Sequence, residues 1–205
     1  WVQVSEGSSA DTNGFWRMES RDAGGAVGLV LTFGMDYTDL DQNLGFMRSV
    51  DGGVTWTGFA DEHRTRQITS FDASSDGQTI YAHERSGFAN WRSDDGGVTW
   101  SSYSHSNANG PIAVSPADRN VVVFAGRTTL WRSTNGLTSV VQVLETGTTS
   151  NGVQGVIHDI EFAASNPSVV YAATEGYLVY RSDDGGVTWS LVADVRGDVL
   201  GSSTP

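Results

Sequence analysis

The chain has 205 residues, 38% of them hydrophobic and including seven Trp, six Tyr and eight Phe, which is ample material for a buried core and too much for a disordered segment. Twelve Lys and Arg stand against 24 Asp and Glu, and the formal charge of −12 repels a phosphate backbone, so no nucleic-acid partner is expected. No apolar run reaches the roughly 20 residues that cross a bilayer, and the absence of cysteine excludes disulfides and thiolate metal sites.

The opening stretch WVQVSEGSSA has neither the basic start nor the apolar core of a secretory signal. The next elements are governed by repetition. RSVDGGVTW at Arg48–Trp56 returns as RSDDGGVTW at Arg92–Trp100 and again, letter for letter, at Arg181–Trp189; RSTNGLTSV at Arg132–Val140 is a degenerate copy. The serines of the four copies are 44, 40 and 49 residues apart, a period that signals stacked sheets or a solenoid. Ahead of the last three copies lie the trains Gln67–Ser93, Pro111–Ser133 and Ile157–Ser182, each read as strand, turn, strand, loop, strand. Runs such as VVVFAG (Val121–Gly126) and VVYAAT (Val169–Thr174) are β-branched and aromatic, and Asp, Asn, Ser, Pro and Gly clusters separate them. No stretch sustains helical periodicity.

Four short antiparallel strands per repeat, with the recurrent phrase between the third and fourth, is the arithmetic of a β-propeller blade. The fold class expected is therefore all-β, a propeller of four-stranded antiparallel blades in one domain over residues 1–205. The blades fall at about 6–60, 61–104, 105–145 and 146–194. Trp1–Val4 aligns with TWSLVA at Thr188–Ala193, so Trp1–Ser5 is read as the last strand of a preceding blade. A β-sandwich with coincidental turns is the competing architecture.

The pattern S-x-D-x-G-x-T-W resembles the Asp-box, or BNR repeat, of sialidases, xyloglucanases, sortilin-type receptors and photosystem assembly propellers. It matches Ser49, Asp51, Gly53, Thr55 and Trp56; Ser93, Asp95, Gly97, Thr99 and Trp100; and Ser182, Asp184, Gly186, Thr188 and Trp189. The third copy keeps Ser133, Asn135 and Gly136 only. The resemblance implies a propeller and leaves function open, since those families do different things. It also favours a ring larger than four blades, completed by a second chain or a further segment, over a small four-bladed one.

The phrase is expected to be structural. Asx followed by Gly favours a tight hairpin. The Asp carboxylate should accept backbone N–H groups of the turn with help from the Ser and Thr hydroxyls, and Trp56, Trp100 and Trp189 should tuck their rings between strands. On this reading Asp95→Ala costs roughly 1 to 3 kcal/mol by unpairing buried donors.

Propeller topology sorts the remaining loops. The first-to-second-strand turns share the face of the phrase, and the other loops gather on the opposite face, where polar residues are candidates for a site. In chain order these loops hold Asp36, Asp39 and Asp41 as candidate calcium ligands, without the spacing of an EF-hand; Tyr37; Glu62, His63, Arg64 and Arg66; His83, Glu84, Arg85 and Phe88; and Tyr177. Glu62, Glu84 and His83 are the candidate catalytic groups. Arg64, Arg66 and Arg85 would clamp an anionic sugar, and Tyr37, Phe88, Tyr103 and Tyr177 would stack on one. His158 and Asp159, at the head of a first strand, are read as a satisfied core pair. No H-x-x-x-H pair supports a zinc hydrolase.

No three-arginine clamp with a Tyr–Glu pair and no xyloglucanase catalytic stretch can be matched, so no catalytic residue is carried over. The reading is a secreted or cell-surface propeller that binds a glycan or protein partner or serves assembly, without a required cofactor. The alternative is a glycoside hydrolase or polysaccharide lyase acting on extracellular carbohydrate.

Overall fold

The computed structural model describes residues 14–22, 28–35, 46–51, 54–55, 57–58, 68–84, 89–104, 110–147 and 155–195. Every regular element among them is a β-strand. The first sheet comprises β1 (Gly14–Asp22), β2 (Gly28–Met35), β3 (Phe46–Ser49) and β4 (Thr57–Gly58). The second comprises β5 (Ile68–Ala73), β6 (Ile80–Glu84), β7 (Ala89–Ser93) and β8 (Ser101–Ser104). The third is built from β9 (Ile112–Val114), β10 (Val122–Ala125), β11 (Thr129–Ser133) and β12 (Val141–Glu145). The fourth is built from β13 (Ile157–Phe162), β14 (Val170–Thr174), β15 (Leu178–Ser182) and β16 (Ser190–Asp194). In each sheet consecutive strands pair antiparallel in chain order.

The chain divides into two compact units, Trp1–Ser104 and His105–Pro205. In the first, β1 packs against β5. Ile68, Phe71, Ala73, Ile80 and Ala82 form its core, and Trp91 and Trp100 close over it. In the second, β13 packs against β9 and β10, sealing Val123, Ala125, Leu130, Ile160, Phe162 and Val170 between sheets three and four. The strand sequences explain this layering. β10 reads VVFA and is buried at all four positions, as a strand covered on both faces must be. β14 alternates instead, with Val170, Ala172 and Thr174 inward and Tyr171 and Ala173 outward, the period of a sheet with one free face.

Two expectations about element boundaries are corrected. The sequence places His83 and Glu84 in a loop, whereas they end strand β6. His83 is fully buried. His158 and Asp159 do lie on a first strand, but both are exposed rather than core. A register irregularity between Ile157 and Asp159 inserts an extra residue there, so two successive side chains point outward.

Candidate functional site

The recurrent phrase occupies the hairpin between third and fourth strands and folds as a clasp. In the second sheet Ser93, 1% exposed, donates its hydroxyl to Asp95 Oδ1 at 2.7 Å and accepts the buried Gly97 N–H at 2.7 Å. Asp95 Oδ1 also takes the N–H of Val98 (2.9 Å) and of Thr99 (2.8 Å), while Oδ2 takes the Thr99 hydroxyl at 2.6 Å. The fourth sheet repeats this around Ser182, Asp184 and Thr188. In the first, Asp51 accepts the Thr55 N–H and hydroxyl and the Ser49 hydroxyl. Trp100 and Trp189 are half-buried against their cores, and their indole N–H groups donate to Gly97 O and Gly186 O, each at 3.2 Å. Trp56 lies outside the described residues.

The degenerate third copy makes the same clasp with substituted parts. Asn135 Oδ1 accepts from Ser133 and from the Ser139 N–H, Asn135 Nδ2 donates to the Ser139 hydroxyl, and Leu137 N–H bonds Ser133 Oγ. Leu137 takes the position of Gly97 and Gly186 and is held at φ 70°, a left-handed conformation that glycine adopts without strain.

These bonds set the electrostatics. Hydrogen bonds from Thr55 and then Ser49 hold Asp51 at a pKa of about 2, well below its ordinary 3.8. Asp184 is lowered to about 2, chiefly by the Thr188 hydroxyl. At Asp95 partial desolvation pushes upward, but the combined bonds from Thr99, Ser93 and Val98 outweigh it and again leave about 2. The three carboxylates are fixed acceptors, ionised at any physiological pH.

The clasp also locks neighbouring elements. In the second, third and fourth boxes the first glycine N–H donates to the turn between first and second strands of its own sheet: Gly96 to Gln78 O, Gly136 to Asn120 O and Gly185 to Ser168 O. Those turns therefore share a face with the boxes, as the topology argument expects. The carbonyls of Gly96 and Gly185 serve the preceding sheet. Arg48 Nη1 donates to Gly96 O at 2.6 Å, and Arg132 Nε donates to Gly185 O at 2.8 Å. Beside the second contact, a methyl group built on Gly186 would come within 2.7 Å of Val123 Cγ2, so only a bare backbone fits there. Sequence reasoning gave these arginines no role, although an Arg precedes the box serine in all four copies (Arg48, Arg92, Arg132, Arg181).

Strand register places each arginine in an equivalent cross-sheet row. The rows are Glu19, Leu31, Arg48, Thr57; Asp72, Tyr81, Arg92, Ser101; Ala113, Val123, Arg132, Val141; and Glu161, Tyr171, Arg181, Ser190. Tyr81 and Val123 are 0% exposed, whereas Tyr171 is 40% exposed. Arg181 stacks over the Tyr171 ring, 5.7 Å from its centroid, and folds back onto Asp183. Arg92 does the same with Tyr81 and Asp94.

Asp36, Tyr37, Asp39, Asp41, Glu62, His63, Arg64, Arg66, Arg85 and Phe88 lie outside the described residues. His83 sits opposite Asn90 in the ladder, both buried, and so is not offered to a solvent-borne substrate. Tyr103 is half-buried. Tyr177 is 48% exposed at φ 58°, near the exposed pair His158 and Glu175, whose Nε2 and Oε2 are 3.9 Å apart. Among the described residues no group of three or more His, Cys, Asp or Glu could hold a metal ion. No helix among them is long and apolar enough to cross a membrane.

Four-stranded antiparallel sheets, each closed by a Ser–Asx clasp, define an Asp-box β-propeller fold. The BNR/Asp-box repeat model matches residues 180–191, the fourth copy. Among solved structures, the chain is similar to the GH74 xyloglucanase from Xanthomonas campestris, with 17% identity over 88% of this chain and 30% of that one and a TM-score of 0.59. It is similar to YCF48 from Cyanidioschyzon merolae, with 15% identity over 94% of this chain and 59% of that one and a TM-score of 0.61. It is also similar to a chain of a nidogen/laminin complex, with 13% identity over 82% of this chain and 63% of that one and a TM-score of 0.59. These likenesses show the fold, and the chain spans less than two thirds of each of the three structures. Comparison with curated protein sequences finds no match.

Proposed function

We propose that the chain is a secreted or surface-exposed propeller module that binds a glycan or protein partner, or serves assembly, without transforming what it binds. The observation that carries this reading is the use of the recurrent carboxylates. Asp51, Asp95 and Asp184 have their oxygens engaged inside their own turns, and at a pKa of about 2 none holds a proton to donate at neutral pH, as a general acid must. The fourth sheet does expose an aromatic ring with a guanidinium stacked over it, Tyr171 and Arg181. Of the similar structures, one was solved as a complex with laminin, which supports a protein partner.

The test is a glycan array followed by a reducing-sugar release assay on any glycan that binds. Retention without release is expected. Release that is lost in Glu62→Gln or Glu84→Gln while the fold is intact would establish a hydrolase instead.

A further inference from the structure

The third box carries an amide where the others carry a carboxylate, and a glycine follows it directly, as Asn135-Gly136. Asn-Gly is open to a side reaction of the backbone, because glycine has no Cβ to keep its nitrogen away from the neighbouring side chain. In that reaction the Gly136 nitrogen, freed of its proton, bonds to Asn135 Cγ. The Cγ–Nδ2 bond breaks, and the amide nitrogen leaves as ammonia, completed by the backbone proton. Water then opens the cyclic imide, at Cγ to give aspartate or at the main-chain carbonyl to give isoaspartate.

The folded box blocks the first step. Gly136 is buried and its N–H donates to Asn120 O at 3.0 Å, so the attacking nitrogen keeps its proton and cannot turn. The carboxamide is held through both of its polar atoms. Oδ1 accepts the Ser133 hydroxyl at 3.0 Å and the Ser139 N–H at 2.9 Å, while Nδ2 donates to Ser139 Oγ at 2.8 Å. Asn135 itself is exposed, and its box carries a strain that the second and fourth boxes lack, since Leu137 holds φ 70° where they have Gly97 and Gly186. Strain of that kind lowers the cost of local opening.

We propose that Asn135 is a deamidation site held in check by its own clasp, and that its aspartate product completes the third box. Opening of the turn releases the Gly136 nitrogen and the carboxamide together, so conversion proceeds through the open fraction alone. Aspartate fits the closed box. One oxygen keeps the acceptor role of Oδ1, and the other takes the Ser139 hydroxyl, as Asp95 Oδ2 takes that of Thr99 and Asp184 Oδ2 that of Thr188. The Ser139 hydroxyl then turns from acceptor to donor. Isoaspartate adds a main-chain methylene inside the turn, and its box does not close. Conversion is thus a chemical record of how often the third turn opens, and it adds a negative charge to an exposed hairpin.

Peptide mapping by mass spectrometry tests this on the full chain held in mildly alkaline buffer, folded and in urea. Conversion at Asn135 should be about tenfold or more slower in the folded chain. Ser133→Ala removes the hydroxyl that holds both Asn135 Oδ1 and the Leu137 N–H, and should speed conversion in buffer several-fold. Ser182→Ala, the same change in the fourth box of the same unit, should leave the rate at Asn135 unchanged. Circular dichroism reports whether each variant is folded. Where Ser133→Ala is not, Ser139→Ala removes only the exposed hold on Nδ2 and carries the same expectation. Asn135→Asp should fold with a melting temperature no lower than the parent's. Equal rates in buffer and in urea overturn the proposal, as does a folded Ser133→Ala chain that converts at the parent rate. Equal acceleration by Ser133→Ala and Ser182→Ala overturns it too, because general loosening of the unit and not the clasp would then set the rate. A lowered melting temperature in Asn135→Asp overturns the completed box.

Discussion

Within each box the serine, and not the carboxylate, sits where water does not reach. Ser93 is 1% exposed and accepts the buried Gly97 N–H, whereas the bonds to Asp95 from Val98 and Thr99 are exposed. The expectation that Asp95→Ala unpairs buried donors is therefore corrected: water replaces the lost acceptor for most of them. Ser93→Ala strands a buried donor and should cost about 1 to 3 kcal/mol. Asp95→Ala should cost less, about 0.5 to 1.5 kcal/mol. Paired chemical denaturation curves give the order, and a larger loss for Asp95→Ala would refute the assignment. Asp95→Asn should be milder still, because Asn135 already fills that role in the third sheet through its Oδ1 and Nδ2.

At the scale of elements, glycines decide how closely one sheet approaches the next. Gly185 and Gly186 both have positive φ, 71° and 87°, but their surroundings differ. A methyl group on Gly185 meets nothing nearer than 3.8 Å, while one on Gly186 meets Val123 Cγ2 at 2.7 Å. Gly185→Ala should therefore pay the backbone strain alone, about 1 kcal/mol. Gly186→Ala adds the displacement of sheet four from sheet three and should lose about 2 kcal/mol or more. Thermal melting of the two variants separates the effects, and equal losses would mean that the close approach carries no weight.

The same scale shows what the residues disclosed in advance and what they did not. The clasp was legible because its Ser, Asp, Gly and Thr act within one nine-residue phrase, so local chemistry dictates it. The arginine contacts were not, since Arg48 and Arg132 find their acceptors 48 and 53 residues away and nothing in the phrase marks a partner. Ser139 as a stand-in for threonine was hidden by the loss of the motif's letters. His83 and His158 were both misplaced, for opposite reasons. Strand β6 is buried on both faces, at Ile80, Tyr81, Ala82 and His83, so its histidine goes inside. The irregularity in β13 sends His158 and Asp159 outward, and a one-residue slip is enough to reverse a strand's faces.

For the whole molecule the boxes make stability depend on acid. The folded pKa of Asp51, Asp95 and Asp184 is about 2 against an ordinary 3.8, so between those values the unfolded chain binds more protons than the folded one. Their contribution is complete above about pH 4 and is lost as pH falls through about 2. The losses are unevenly distributed. Trp1–Ser104 holds two of these carboxylates, Asp51 and Asp95, while His105–Pro205 holds Asp184 and the uncharged Asn135. Lowering the pH from 5 to about 2.5 should thus weaken hydrogen-exchange protection more in the first unit than in the second. The triple variant Asp51→Asn, Asp95→Asn, Asp184→Asn should be less stable at neutral pH and show a flatter acid limb, because each asparagine keeps an acceptor oxygen but has no proton to gain. An unchanged acid limb in that variant would mean that carboxylates elsewhere govern the acid response. The clasps would then hold the sheets by geometry alone, as Asn135 does in the third.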